Sequence, residues 1–284
     1  MEIAYQKESV KSHVSFWQNQ KKTIGFVPTM GALHAGHLSL VARAKAECDV
    51  VVVSIFVNPL QFNQASDFEK YPKNLEADIA LLSNEDVDLI YAPLANEFYL
   101  EKPILTFDFG KLTSVLEGAM RPGHFSGVAL VVSRLFHLVE PDFAYFGAKD
   151  LQQVAVIRRL ILDLDFNLQL VCCPTSRDEN GLALSSRNAR LSPKGLLLAA
   201  QLFKALNIGL KSFKREEPNL SRDLALKYLR DYPEIELEYL EWVNADSMEP
   251  VSSFEGSAKI ALCIAAWVEG VRLIDNVLTE DSGF

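Results

Sequence analysis

The sequence is poor in cysteine, has no long apolar run and carries no excess of positive charge. Its four cysteines, Cys48, Cys172, Cys173 and Cys263, form no C-x-x-C pair, which removes the usual spacing of a zinc ribbon or a redox dithiol. Each sits in an apolar run, so buried free thiols are expected. The longest uninterrupted apolar stretch, residues 260–268, is far short of the roughly 20 residues that a membrane-spanning helix needs. Residues 1–20 are polar and hold no h-region of a signal peptide, so the expected location is the cytoplasm. A formal net charge of -9 argues against non-specific binding to nucleic acid, which requires a basic surface against the phosphates. It does not exclude a small anion held by a few Arg, Lys and His in one pocket. The G-x-G-x-x-G fingerprint is missing, which counts against a dinucleotide cofactor, and there is no internal repeat.

What is present is an ordinary globular composition. The 284 residues, 49% hydrophobic and 23% charged, can bury at least one full core and suggest two domains. Short β-branched runs predict strands at 23–27, 50–57, 87–92, 143–146 and 168–172. The run Val50-Val51-Val52-Val53-Ser54-Ile55-Phe56 is apolar on both faces, as a central parallel strand covered on each side should be. Helical periodicity lies between the runs, at about 126–139 and 151–164. Strands alternating with helices imply an α/β fold with a doubly wound parallel sheet. Past Pro174 the pattern changes. Helices at about 192–213 and 219–232 flank the charged connection Lys214-Arg215-Glu216-Glu217-Pro218, and strands follow at 237–243, 260–268 and 271–274. This predicts a smaller C-terminal α+β domain, with domains at 1–175 and 176–284.

Five segments carry polar groups suited to chemistry. PTMGALHAGH (28–37) follows the first strand of the alternating series, where open parallel sheets bind ligands. Gly36 lets a phosphate approach the backbone, the helix start beyond it supplies N–H groups, and His34 and His37 lie on one side of a turn. An isolated H-x-x-H is more often coincidence, or half of a zinc site. The missing H-E-x-x-H pattern and the scatter of His13, His124 and His137 weaken zinc. NPLQF (58–62), after the central strand, offers the neutral amides of Asn58 and Gln61, suited to hydroxyl and carboxylate groups. RPGHFSGV (121–128) contributes Arg121 and predicts a helix capped by Ser126. In FGAKDLQQ (146–153), Lys149 is poised for a phosphate, Asp150 is a candidate helix cap, and Gln153 faces the pocket if Leu151 and Val154 face the core. GLALSSRN (181–188) places Ser185 and Ser186 beside Arg187, whose guanidinium can hold phosphate bidentately.

In matching order and spacing, these five segments resemble the pantothenate synthetase family of pantoate–β-alanine ligases, within the wider nucleotidylyltransferase group. The likeness covers about residues 20–192, and AAWVEGVRLIDN (265–276) is similar too. Four positions depart from the family pattern: Ala148 stands where Glu is usual, Leu151 an aromatic, Asn180 Asp and Arg190 Tyr. The resemblance implies a Rossmann-like domain with a smaller lid domain, a homodimer, and ATP with Mg²⁺. It implies condensation of pantoate with β-alanine through a pantoyl-adenylate. By the same resemblance His34, His37, Lys149 and Arg187 are catalytic. Met30, Gly31, Gly36, Gly147, Asp150, Ser176, Leu184, Ser185 and Ser186 join those four in binding ATP. Gln61, Gln153, Asn58 and Arg121 hold pantoate or β-alanine.

Attack of a carboxylate on a phosphate opposes two anions, so such an enzyme needs positioned positive charge more than a nucleophile. Asp78, in the stretch Glu76-Ala77-Asp78, is a candidate helper for the metal. Two other readings remain open on the residues alone. Another nucleotidylyltransferase would need extra basic residues for its acceptor phosphate, where NPLQF supplies amides. A non-catalytic binding protein would be marked by loss of a histidine or of Lys149, and all are present.

Overall fold

The computed structural model describes residues 1–63, 65–214, 217–251 and 259–279. In chain order the elements are β1 (Glu2–Ala4), α1 (Lys7–Asn19), β2 (Ile24–Thr29), α2 (Ala35–Glu47), β3 (Val50–Ile55), α3 (Ala65–Glu69), α4 (Leu75–Leu82) and β4 (Leu89–Tyr91). Then come α5 (Ala95–Phe98), α6 (Leu116–Met120), α7 (His124–Val139), β5 (Phe143–Gly147), α8 (Leu151–Asp163) and β6 (Gln169–Cys173). The chain ends with α9 (Pro193–Lys211), α10 (Pro218–Leu229), β7 (Glu236–Asn244), β8 (Ile260–Val268) and β9 (Val271–Leu278). Contacts divide it into a first unit of 1–109, 120–148 and 156–174, and a second of 110–119, 149–155 and 175–284.

The first unit is built on a parallel six-stranded sheet of order β1-β4-β3-β2-β5-β6. The valine run forms β3, a central strand between β4 and β2, and all six of its residues are buried. Val51, Val53 and Ile55 belong to one core with Val41 and Ala44 of α2 and Leu82 of α4. On Phe26 of β2, the ring of Phe136 from α7 stands edge-on at 6.3 Å between centroids. β2 pairs with β3 on one side and β5 on the other, so the strand order reverses between β2 and β5. A doubly wound sheet binds ligands at such a reversal, beyond the carboxyl ends of the strands.

The structure adds an element that the polar N-terminal stretch concealed. α1 buries Val10, Val14 and Trp17 at four- and three-residue spacing, a narrow stripe that mean polarity hides. It also moves a helix start. α7 begins at His124 behind Gly123, whose φ of 81° provides the turn, so Ser126 lies within the first turn and is not the cap. The Ser126 hydroxyl instead accepts the Phe107 N–H at 2.9 Å. All four cysteines are free, but Cys172 is exposed and Cys48 only half-buried. The reason for Cys172 is its place on β6, an edge strand that buries only one of its five residues.

The second unit holds the antiparallel sheet β7-β8-β9. Its core joins Leu206 of α9, Ala225 of α10, Trp242 of β7 and Leu262 of β8. The charged connection after α9 includes Arg215 and Glu216, which lie outside the described residues. Gln152 fastens the excursion at 110–119: its Oε1 accepts the Glu117 N–H at 2.9 Å, and its Nε2 donates to Leu112 O and Val115 O at 2.8 and 2.9 Å. Glu117 in turn binds Arg272, which also pairs with Glu238.

Candidate active site

The histidine loop leaves β2 at the strand-order reversal. Thr29 Oγ1 donates to Ser54 O at 2.8 Å and accepts the Gly31 N–H at 3.2 Å. Gly31 and Ala32 are both left-handed, with φ of 76° and 50°. The N–H groups of Ala32 and Leu33 then donate to the two oxygens of Asp78 at 2.9 and 2.7 Å. A Cβ on Gly31 would sit 2.8 Å from Asp78 Oδ2, so only glycine fits there. Burial lifts the Asp78 carboxyl above the ordinary carboxylate range, and the bonds from Leu33 and Ala32 pull it partly back. Asp78 thus anchors the loop. The structure shows this anchoring role, which the sequence, read for a helper of the metal, did not reveal.

His34 is the N-cap of α2, and its Nδ1 accepts the Gly36 N–H at 3.1 Å. His37, one turn on, accepts the His34 N–H on its own Nδ1 at 3.4 Å. The ring centroids are 4.1 Å apart. A hydrogen on either Nδ1 would collide with the N–H pointing at it, so the neutral rings carry their proton on Nε2. Two imidazole Nε2–H donors at a helix N-terminus form an arrangement suited to an anion. The caps thus secure both the helix and the tautomer.

NPLQF forms a short 3-10 turn (Pro59–Gln61) capped by Asn58. Asn58 is 1% exposed, and its amide is fully engaged. Oδ1 accepts the Leu60 N–H at 3.2 Å and the Tyr99 hydroxyl at 3.1 Å, while Nδ2 donates to Gln61 Oε1 at 3.1 Å and Gly127 O at 3.0 Å. An amide has about four hydrogen-bonding positions, and Asn58 fills all four within the protein, one of them on Gln61. Gln61 Nε2 reaches Met30 Sδ at 2.8 Å, which ties this turn to the histidine loop. Gln61 O accepts His124 Nδ1–H at 2.8 Å and Arg121 Nη2–H at 3.4 Å, and Arg121 Nη1 donates to His124 Nε2 at 3.2 Å. His124 therefore has the opposite tautomer to the loop histidines. The close approach of α7 requires Gly127, since a Cβ there would lie 2.3 Å from Leu60 O.

The first unit thus brings together Met30, Gly31, His34, Gly36, His37, Asn58, Gln61 and Arg121. Gly147 ends β5, and the 3-10 turn Ala148–Asp150 follows, of which Lys149 and Asp150 belong to the second unit. Asp150 closes that turn directly before α8, with its carboxylate 3.7 Å from Lys149 Nζ. Gln153 is half-buried, on the side away from the buried Leu151 and Val154. Arg177 pairs across a bridge with Ala183, and the Leu184 N–H donates to Ser176 O at 2.9 Å. Ser185 then caps a 3-10 turn (Ser186–Arg190) by accepting the Arg187 N–H at 3.3 Å. Ser185, Ser186 and Arg187 are all half-buried.

Several residues that hydrogen-bond to these segments were not singled out by the sequence. Tyr99 offered no signal. His124, Asp275 and Asn276 lay inside quoted motifs but in no distinctive pattern. Arg177 makes a bidentate pair with Asp275, at 2.6 and 2.9 Å, and stacks 3.6 Å from the Phe203 ring centre.

A reversed-order parallel sheet with paired imidazole donors at a helix start defines a Rossmann-like α/β protein equipped for phosphate. The sequence is 50% identical over 273 residues to the pantothenate synthetase of Cytophaga hutchinsonii, covering 95% of this chain and 96% of that protein. It is 43% identical to the pantothenate synthetase of Porphyromonas gingivalis, covering 99% of this chain and all of the relative (100%). The crystal structure of pantothenate synthetase from Thermus thermophilus superposes with a TM-score of 0.90 at 41% identity, covering 98% of this chain and 99% of that one. A pantoate-beta-alanine ligase from Francisella tularensis, complexed with beta-gamma ATP and beta-alanine, superposes with a TM-score of 0.81 at 36% identity, covering 99% and 98%. The sequence model of pantoate-beta-alanine ligase matches residues 2–278. The chain belongs to the pantoate-beta-alanine ligase family, and it is a ligase.

Proposed function

We propose that this chain condenses pantoate with β-alanine at the expense of ATP, through a pantoyl-adenylate. The observation that carries the reading is the pair His34 and His37, whose backbone-held Nδ1 atoms leave Nε2–H as the donor on each ring. Family membership supplies the substrates. A carboxylate oxygen of pantoate attacks the α-phosphorus of ATP, the bond to the β-phosphate oxygen breaks, and pyrophosphate leaves. The amine of β-alanine then attacks the acyl carbon, AMP leaves with the bonding electron pair, and the amine gives up a proton. Both steps are limited by orientation and by charge developing on phosphate oxygens.

His34 and His37 donate to those oxygens, and Lys149 and Arg187 neutralise them with the help of the Ser185 and Ser186 hydroxyls. Met30, Gly31, Gly36, Gly147, Asp150, Ser176 and Leu184 line the nucleotide. Gln61, Gln153 and Arg121 serve pantoate or β-alanine, with Asn58 acting through Gln61. Residues 1–175 are assigned the nucleotide and pantoate, and 176–284 the part of a lid. Mg²⁺ enters with ATP as part of the substrate. Such an ion would be held mainly by phosphate oxygens and water. We place the enzyme in the cytoplasm as a homodimer. Free cysteines fit a reducing compartment, and among the described residues no helix is long and apolar enough to cross a membrane.

Labelled pyrophosphate tests the first step. With pantoate and ATP but no β-alanine, label should enter ATP. Absence of exchange removes the adenylate, and other hydroxy acids run in parallel test the choice of pantoate. Sedimentation velocity tests the dimer.

A further inference from the structure

The nucleotide roles proposed for Lys149 and for the 185–187 loop lie on segments far apart in sequence. The structure attaches both to one dipeptide of β9. The side chain of Asn276, a residue 5% exposed, donates through Nδ2 to Lys149 O at 2.9 Å. Asp275, equally buried, accepts N–H bonds from Nη1 and Nη2 of Arg177. Arg177 also donates to Asn276 O at 3.2 Å and to Gly181 O at 3.1 Å. Gly181 is the left-handed apex of the turn bridged by Arg177 and Ala183, and Leu184 to Arg187 follow it directly. A carbonyl held by a buried amide fixes the backbone from which the lysine side chain projects. A buried fork clamped at the turn does the same for the serine–arginine loop.

We infer that Asn276 is a positioning residue for Lys149, and that the Arg177–Asp275 pair is its counterpart for the loop at 185–187. The inference rests on the phosphate role proposed for Lys149. Backbone carbonyl bonds of this kind set geometry without touching the ligand, so their loss should appear only through the group they hold.

The test is a double-mutant cycle with Asn276→Ala and Lys149→Ala, read as the dissociation constant of ATP by calorimetry. Loss of the lysine contact should weaken ATP about tenfold or more, the factor expected for one charge-assisted bond. Asn276→Ala should weaken it about fivefold to tenfold in the wild-type background. The same change should add less than about twofold once Lys149 is gone. The Michaelis constant for pantoate should stay within about twofold, since the lysine serves the phosphates and not pantoate. If Asn276→Ala does not fold, Asn276→Leu keeps the approximate volume and removes the donor without adding charge, and the same outcomes apply. An equal loss in both backgrounds, or no loss in the wild type, overturns the positioning role while leaving Lys149 in place. Unchanged ATP binding in Lys149→Ala overturns the phosphate reading itself, and the inference with it.

Discussion

The histidine loop and the serine–arginine loop are built for similar work and supported by different means. The first combines local caps with one distant anchor: each histidine caps its own turn within three residues, and the N–H groups of Ala32 and Leu33 close onto Asp78 of α4. The second hangs on a buried ion pair between residues 98 apart in sequence, Arg177 and Asp275. In the first loop the histidine caps come from adjacent backbone, so the rings keep their orientation when distant segments change. The second loop fails when a distant strand changes.

The largest effect should therefore be on the second loop. Arg177→Ala leaves Asp275 buried and unpaired, and should lower unfolding stability by about 3–5 kcal/mol. Urea unfolding reads this, and a loss below about 1 kcal/mol would make the pair an ordinary surface bridge. On the first loop the main effect should be on rate. His37→Ala should slow pyrophosphate exchange about 10²- to 10³-fold, the loss typical of one transition-state donor. Near-normal exchange would remove His37 from the mechanism and break the comparison.

Gly127→Ala comes next. Alanine would normally favour a helix by about 1 kcal/mol, but here the new Cβ would meet Leu60 O. A net destabilisation of about 1–3 kcal/mol is expected, with a raised Michaelis constant for pantoate. A more stable variant would show that the NPLQ turn yields. Tyr99→Phe removes a single bond to Asn58 and should cost about 1 kcal/mol. A few-fold weaker apparent affinity for pantoate with unchanged ATP is the signature of support passed through Asn58 to Gln61. A change in ATP alone would refute it.

The smallest effect is on the pH dependence of the first support. Burial holds the Asp78 carboxyl above its unfolded value, so the folded protein binds that proton more tightly than the unfolded chain. The stabilisation due to Asp78, relative to Asp78→Ala, is full below the unfolded value of about 3.9 and falls as pH rises through the raised folded value. Paired urea titrations from about pH 3 to pH 7 measure it, and a difference that grows with pH across that window would refute the sign.

Much of the fold was legible because its signals are short-ranged. The valines at 50–53 required cover on both faces, and the strand–loop–helix order put PTMGALHAGH at the carboxyl end of β2. Less legible were α1, whose three-residue stripe is diluted by polar neighbours, and the start of α7, where Gly123 with a left-handed φ outcompetes the serine three residues on. Within the site, the identity of polar residues was readable and their division of labour was not. Asn58 and Gln61 look alike as amides in NPLQF. Only their partners show that Asn58 has all four positions filled while Gln61 is the one being aimed.

By itself, then, the sequence determined the alternation that winds the sheet, the histidine loop and the motifs that mark the family, since these depend on neighbours within a few residues. Only the tertiary structure decided that Asp78 holds the loop, that His124 and Tyr99 brace the amide turn, and that β9 carries Lys149 and the arginine turn on adjacent residues. Hydrogen bonds between distant segments form only once the chain has folded, and buried polar groups then take whichever partners that folding brings within reach.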